Sequence, residues 1–441
     1  MIFVYAENIT PRLHYVLNFI FRDSLHAEFR ITDNLEKFIA EDGPKISYSS
    51  SGVPNALNIP VCGLMEKDSV EEVETGLIKR GNVPVLFSKE DSDQFPADLR
   101  ILNFDLFAAV FYMISRYEEY LAFQPDNHGR FEATESLAGK NGFLEQPVVD
   151  LWIRDLGDKL MELYPELNLS KGEFNFLPTC DIDVPYAFLH RGRARTVAAK
   201  LKAGMKGSGD IELRREVLSG TKKDPFDTFT EMEAIHSLHK IRPGIFFLTA
   251  RYGKFDKSIS PKSKVFKSLV KQTMKYADVG IHPSFRASGN PAELKREIAA
   301  LSATTGNEIK NSRQHYLKFR LPESYRLYID AGIEQEFSMG YASEAGFRAG
   351  TSRSFNFYDL QEEAETGLRI TPFQVMDRTL KDYMGLTPDQ ALQKIMSIAE
   401  ATRSVGGTFS SIWHNDAFSE YGEWKGWKDV YLQMIDSLAG W

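Results

Sequence analysis

The chain is poor in cysteine: its 441 residues include two, Cys62 and Cys180. That excludes a disulfide framework and a C-x-x-C metal clip, and it fits two buried structural thiols in a reducing compartment. No apolar run approaches the roughly 18 residues that a membrane-spanning helix needs. The first residues, MIFVYAENIT, lack a basic segment ahead of a short apolar stretch, so no secretory leader is expected. A cytoplasmic location follows as the expectation. Positive charge is in deficit, with 53 Lys+Arg against 61 Asp+Glu and a net charge of −8. A general nucleic-acid partner is therefore not expected. What remains, 43% hydrophobic and 26% charged, is ordinary for a soluble globular chain. The length suggests two or three domains.

Residues 1–100 alternate short apolar runs with polar turns. Strands are expected at residues 2–5, 45–49 and 84–87, with an amphipathic helix over 12–21. Phe104, Phe107, Val110, Phe111 and Ile114 recur at three and four, which predicts a helix over 101–123 whose charged end, Ser115 to Tyr120, caps it and is solvated. His128 falls in a polar turn. Residues 148–163 read as a second helix, and 164–173 as a linker. We divide the chain into an N-terminal α/β domain over 1–170, helical in its last part, and a second domain over 174–441.

From Phe174 the rhythm changes. Strand-like runs recur at 176–180, 244–248, 279–282, 312–319, 328–329, 366–372 and 407–414, and helix-like stretches occupy 226–239, 291–304 and 388–404. Strands alternating with helices define parallel β/α units, and this many units fit a β/α barrel better than a small open sheet. One excursion, residues 190–223, carries ten Lys/Arg against three Asp/Glu. It reads as a solvated helical insertion, with recognition of an anionic group as the alternative.

The polar residues that close these runs carry the chemistry. Asp181 and Asp183 end the first strand and face one side of it by the period of two. Two carboxylates so placed repel, and a buried pair needs a cation, a shared proton or water. His282 closes an apolar strand just before Pro283, where its imidazole suits a metal. Arg313 and His315 share a face of the 312–319 run. Arg313 near Asp181 would hold that carboxylate ionised, and His315 is a third ligand or a substrate contact. His414 ends the last strand as a candidate general acid, with Trp413 as an apolar wall. His236 and His239, three apart on a helix, read as surface residues rather than a metal pair.

The order of these motifs resembles the polysaccharide deacetylase superfamily (NodB homology, carbohydrate esterase family 4). The resemblance runs from Phe174 to the C-terminus, behind an uncharacterised N-terminal α/β domain, as in a bacterial subgroup. Thr179-Cys180-Asp181-Ile182-Asp183 is similar to the first motif, Ile245-Phe246-Phe247-Leu248 to the aromatic strand, His282 to the start of the second motif, Arg313 to the arginine strand, and Trp413-His414 to the closing motif. The resemblance implies an irregular (β/α)7-type barrel and a metal-dependent hydrolase of C–N amide bonds that deacetylates an amino sugar or polysaccharide. In it Asp181 is the base, Asp183 a ligand of a divalent metal such as zinc, Arg313 the orienting residue and His414 the acid. Phe337 to Tyr341 and Gly346 to Gly350 look like a subfamily signature, which makes Tyr341 and Arg348 candidate substrate contacts beside Trp413.

The chain departs from the family pattern at Arg286, where a second metal histidine is expected four residues after His282. His315 is then the candidate third ligand, beside Asp183 and His282. If the metal site is instead lost, the alternatives are a metal-independent cyclic-amide hydrolase or a non-catalytic carbohydrate-binding scaffold.

Overall fold

The computed structural model describes residues 1–88, 100–191 and 209–441. Seven strands belong to the first part: β1 (Ile2–Ala6), β2 (Phe29–Thr32), β3 (Lys45–Tyr48), β4 (Leu57–Ile59), β5 (Ile78–Arg80), β6 (Val83–Val85) and β7 (Arg100–Ile101). Five of them form a parallel sheet in the order β2-β1-β3-β4-β7, and β5 and β6 form an antiparallel ribbon. Against this sheet pack a helix at Pro11–Leu17, continued by a π-turn, and the all-apolar helix Leu106–Ile114. Asp105 starts the latter. Its buried carboxylate accepts from the Ala108 N–H, the Tyr48 hydroxyl and the Cys62 N–H, so one side chain caps the helix and ties it to the sheet.

The helix does not run on into a solvated tail, as expected for Ser115 to Tyr120. Arg116 takes φ 54°, the chain tightens into a 3-10 turn, and Arg116, Glu118 and Glu119 are buried as a salt-bridged group. Of the two cysteines, Cys180 is buried but Cys62 is exposed. Among the described residues no helix is long and apolar enough to cross a membrane.

Nine strands make the second sheet: β8 (Asn175–Ile182), β9 (Gly244–Phe247), β10 (Asp278–Ile281), β11 (Asn311–Ser312), β12 (Gln335–Glu336), β13 (Phe355–Asp359), β14 (Ala364–Ile370), β15 (Val375–Met376) and β16 (Thr408–His414). Their order is β13-β14-β12-β11-β10-β9-β8-β16-β15, and every neighbouring pair is parallel except β13 with β14. Among the described residues no pairing joins β13 to β15, so the sheet is open where a closed barrel was expected. The reason lies at β13. It folds back on β14, and the first part of the chain packs against it: the Tyr15 hydroxyl donates to the Asn356 carbonyl at 2.7 Å, and Phe19 meets Phe355 edge-on. Arg12, fully buried, pairs with Glu363 at the hairpin turn. The two sheets thus share one apolar core.

The helices that cover the second sheet start where their caps lie. Thr387 and Gln390 form a reciprocal capping box ahead of Pro388–Ser404. Asn290 caps Pro291–Thr305, which stops at Gly306 with φ 80°. Gly280 in β10 has a different task. A Cβ there would lie 2.6 Å from the Phe246 ring, so only glycine lets that ring lie flat across the strand.

Two expected strands are corrected. Tyr328 and Ile329 belong to the helix Glu323–Asp330, whose Tyr325 and Tyr328 face the core at a helical spacing of three. The run 312–319 leaves the sheet after Ser312 and turns sharply at His315–Leu317. Within the basic excursion, residues 192–208 lie outside the described residues, and with them Arg193, Arg195, Lys200, Lys202 and Lys206.

His236 is buried rather than on the surface, with its Nε2 2.6 Å from the Tyr431 hydroxyl, while His239 pairs with Asp436. Burial pushes the His236 imidazole down to about 4. The folded state then binds fewer protons than the unfolded chain between about pH 6.5 and 4, so stability is full above that window and is lost as pH falls through it. The expected loss is roughly 3 kcal/mol at one pKa unit per 1.4 kcal/mol. Urea denaturation at pH 7 and pH 4.5 measures it, and a His236→Gln variant should flatten that slope.

Candidate active site

Because the strands run parallel, their carboxyl ends share one edge of the sheet, where the following loops converge. β8 and β16 pair in a register that sets Asp181 beside His414, and β10 and β11 pair at Ile281 and Ser312, one residue before His282 and Arg313. Asp181, Asp183, His282, His315 and His414 line a cavity of about 510 Å³ at this edge. Arg313 lies just beneath, fully buried.

Asp183 is the centre. Its Oδ1 lies 3.1 Å from His282 Nε2, and its Oδ2 lies 3.2 Å from His315 Nε2 and 3.8 Å from His414 Nε2. The far nitrogen of each ring is already engaged. His282 Nδ1 donates to the Arg313 carbonyl at 2.5 Å, and His315 Nδ1 meets Asp256 Oδ1 at 2.9 Å. A carbonyl only accepts, so His282 Nδ1 carries a proton, and Nε2 is the nitrogen left to face Asp183. Two imidazoles and a carboxylate that face one another so closely are held by positive charge between them, either protons on the rings or a cation in their place. The Asp183 Oδ1 is buried without a hydrogen-bond partner among the described residues. One donor atom from each of Asp183, His282 and His315 falls within 4.8 Å of the others. Two imidazoles and one carboxylate form a donor set that suits a catalytic zinc with an open position. The outer partners Arg313 O and Asp256 hold the rings as such sites require.

The protonation states reflect the same crowding. Burial alone would raise the Asp183 carboxyl, but His315 and then His282 hold it well below the usual range. Burial would lower His315, and Asp183 followed by Asp256 carries it instead up to about 9. His414 is carried against burial up to about 10 by Asp377, whose Oδ1 is 2.8 Å from its Nδ1 and whose Oδ2 accepts the His414 N–H.

Arg313 stands between the Phe246 and Phe373 rings, 4.9 and 5.6 Å from their centroids, and its Nε is 3.9 Å from Asp181 Oδ1. Its guanidinium has no hydrogen-bond partner among the described residues. Phe246 can lie there because residue 280 is glycine. Glu336, also near Arg313, is pushed up to about 7 by burial, against the pull of its bonds from Ser338 and the charge of Arg313.

Three candidates fall elsewhere. Trp413 is fully buried against Trp427 and Tyr431: with His414 turned to the cavity, the strand period sends its neighbour to the opposite face. Arg348 is spent on Glu119 at 2.6 and 2.9 Å and on the Gly340 carbonyl, and Tyr341 accepts from Arg116. Both tie the second sheet to the buried charged turn of the first part, and neither lines the cavity. Arg286 is exposed on the turn after Pro283. Asp256, Asp377 and the Arg378–Asp416 pair at the cavity wall escaped the sequence reading. Asp377 follows a two-residue strand that shows no period, although an acid beside an arginine at a strand end was a usable signal.

Residues 2–165 match a family of unknown function, DUF7033. No curated protein matches the chain. Among solved structures, the chain is similar to PuuE allantoinase, with 9% identity over 62% of this chain and 86% of that one and a TM-score of 0.42. It is also similar to a polysaccharide deacetylase from Bacillus cereus, with 12% identity over 60% and 87% and a TM-score of 0.28. A CE4 family pseudoenzyme from Bacillus anthracis matches with 10% identity, covering 62% of each chain, at a TM-score of 0.33.

Proposed function

We propose that the chain is a metal-dependent hydrolase of C–N amide bonds that removes an N-acyl group, most simply acetyl, from an amino sugar or polysaccharide. The observation that carries this reading is the convergence of Asp183, His282 and His315 on one point of the cavity wall, with Asp181 and His414 lining the same cavity.

A divalent ion held by Asp183, His282 and His315 supplies Lewis-acid polarisation of an amide carbonyl and of a water. The chain's own groups do the rest. Asp181, facing Arg313 and with its Oδ2 3.8 Å from His282 Nε2, is the base that takes the proton of the attacking water. Arg313 sets its positive charge opposite that carboxylate, with Nε 3.9 Å from Oδ1. His414 carries a proton at neutral pH because Asp377 raises it, which suits it to donate from Nε2 to the departing amine nitrogen. Asp377 also fixes the ring, since its two oxygens hold both the backbone and the Nδ1 of His414.

The test is metal analysis of the purified chain together with assays on N-acetylated amino sugars and oligosaccharides. The expected result is one zinc per chain and acetate release that chelation removes and zinc restores. Activity that survives exhaustive chelation would favour a metal-independent cyclic-amide hydrolase. A chain that binds sugar but stays inactive with added zinc or cobalt would favour the scaffold reading.

A further inference from the structure

His315 is brought to Asp183 by an unusual turn. Tyr316 and Leu317, directly after it, have φ of 63° and 50°, so two consecutive non-glycine residues lie in the left-handed region. Each such residue is strained and persists only where its surroundings hold it. The N-terminal side of the turn is held from within the second sheet. The His315 N–H donates to the Pro283 carbonyl at 3.0 Å, and the Gln314 amide donates to Pro283 and Ser284.

On the C-terminal side, Ser288 Oγ donates to the Lys318 carbonyl at 2.8 Å and Phe285 packs on Tyr316, and the first part of the chain adds a further hold. Arg130, 5% exposed, donates from Nη1 to the Tyr316 carbonyl at 2.9 Å. Its Nε is fixed by Asp126 at 2.8 Å, and its Nη2 reaches the Tyr383 hydroxyl at 3.4 Å. The His128 ring packs on Tyr316 with centroids 5.2 Å apart. The polar turn read from the sequence is thus a clasp on the segment that carries His315.

We infer that Arg130, seconded by His128, is a positioning residue through which the N-terminal part of the chain sets the metal site, by clamping the left-handed turn that presents His315. This rests on the metal reading above. It gives a physical reason why the part that matches a family of unknown function accompanies this cavity: the chain has Arg286 where a ligand from its own loop was expected, and its third donor comes from a turn that the N-terminal part helps to hold.

Zinc affinity of the full-length chain, measured by competition with a chromophoric chelator, tests it. Arg130→Ala is expected to weaken zinc about tenfold or more, the scale seen when groups behind metal ligands are removed. Arg130→Lys, which keeps one donor for the Tyr316 carbonyl, should recover part of that loss. The visible spectrum of the cobalt-loaded chain should shift in Arg130→Ala, which a general loss of stability would not produce. Glu363→Gln, which loosens the same two units at Arg12 far from the cavity, should leave zinc affinity unchanged. If Arg130→Ala does not fold, His128→Ala, partly exposed and less disruptive, carries the test with a smaller loss of the same sign. Folded Arg130→Ala or His128→Ala with wild-type affinity and cobalt spectrum, or an equal loss in Glu363→Gln, overturns the inference. A wild-type chain that binds no zinc overturns the metal reading itself, and this inference falls with it.

Discussion

His315→Ala is expected to abolish tight zinc binding and, with it, all metal-dependent activity. Zinc at 1,000 times its dissociation constant would stabilise the wild-type chain by about 4 kcal/mol through mass action, and the variant should show no such upward shift in Tm. The loss should exceed the roughly 10–100-fold that changes behind the ligands cause, because a donor itself is removed. Two ligands, Asp183 and His282, would remain, fewer than catalytic zinc ordinarily has. The metal-free variant should also be less stable. His315 lies between Asp183 and Asp256, and its removal leaves one half-buried and one buried carboxylate without their shared partner. Differential scanning fluorimetry with and without zinc separates the two effects. A zinc-induced shift equal to that of the wild type in His315→Ala would refute the three-donor site and return His315 to the role of substrate contact.

Asp181→Asn is expected to lower kcat by about 10²–10⁴, the usual worth of a positioned base, while zinc stays bound. The amide keeps the shape of the carboxylate and its place opposite Arg313 and His282, but it cannot take a proton. Asp181 is further from the convergence point than Asp183: its Oδ2 is 3.8 Å from His282 Nε2, against 3.1 Å for Asp183 Oδ1. The split should therefore be clean, with activity lost and metal kept. If Asp181→Asn loses zinc in parallel, the two acids have exchanged roles. If it keeps full activity, Asp181 is not the base.

The comparison between Asp181 and Arg313 marks how far the strand period carries. Asp181, Asp183, His282 and His414 lie within strands or one residue past them, and parallel strands deliver their ends to a common edge. A linear pattern of apolar runs closed by polar residues therefore located them. Arg313 and His315 were grouped for a reason the structure does not keep. The run leaves the sheet after Ser312, so Arg313 sits one residue past the strand end while His315 is brought to the site by the turn that follows, not by a shared strand face.

Trp413, Tyr341 and Arg348 show the opposite limit. Their residue types suit a sugar site, but which face of a strand or loop points to the cavity depends on what packs behind it. Behind Trp413 stands the helix Trp427–Leu438, and behind Arg348 stands Glu119.

By itself the sequence located the parallel strands β8, β9, β10, β14 and β16 and the four polar residues that end the first, third and last of them, because hydrophobic period and strand termination are local properties. Tertiary structure alone decided that the sheet stays open at β13, that a turn rather than a strand face brings His315 to Asp183 and His282, that Asp256 and Asp377 stand behind two of the histidines, and that Arg130 reaches across from the first part of the chain. Each of these depends on contacts between residues far apart in the chain, and no local pattern encodes them.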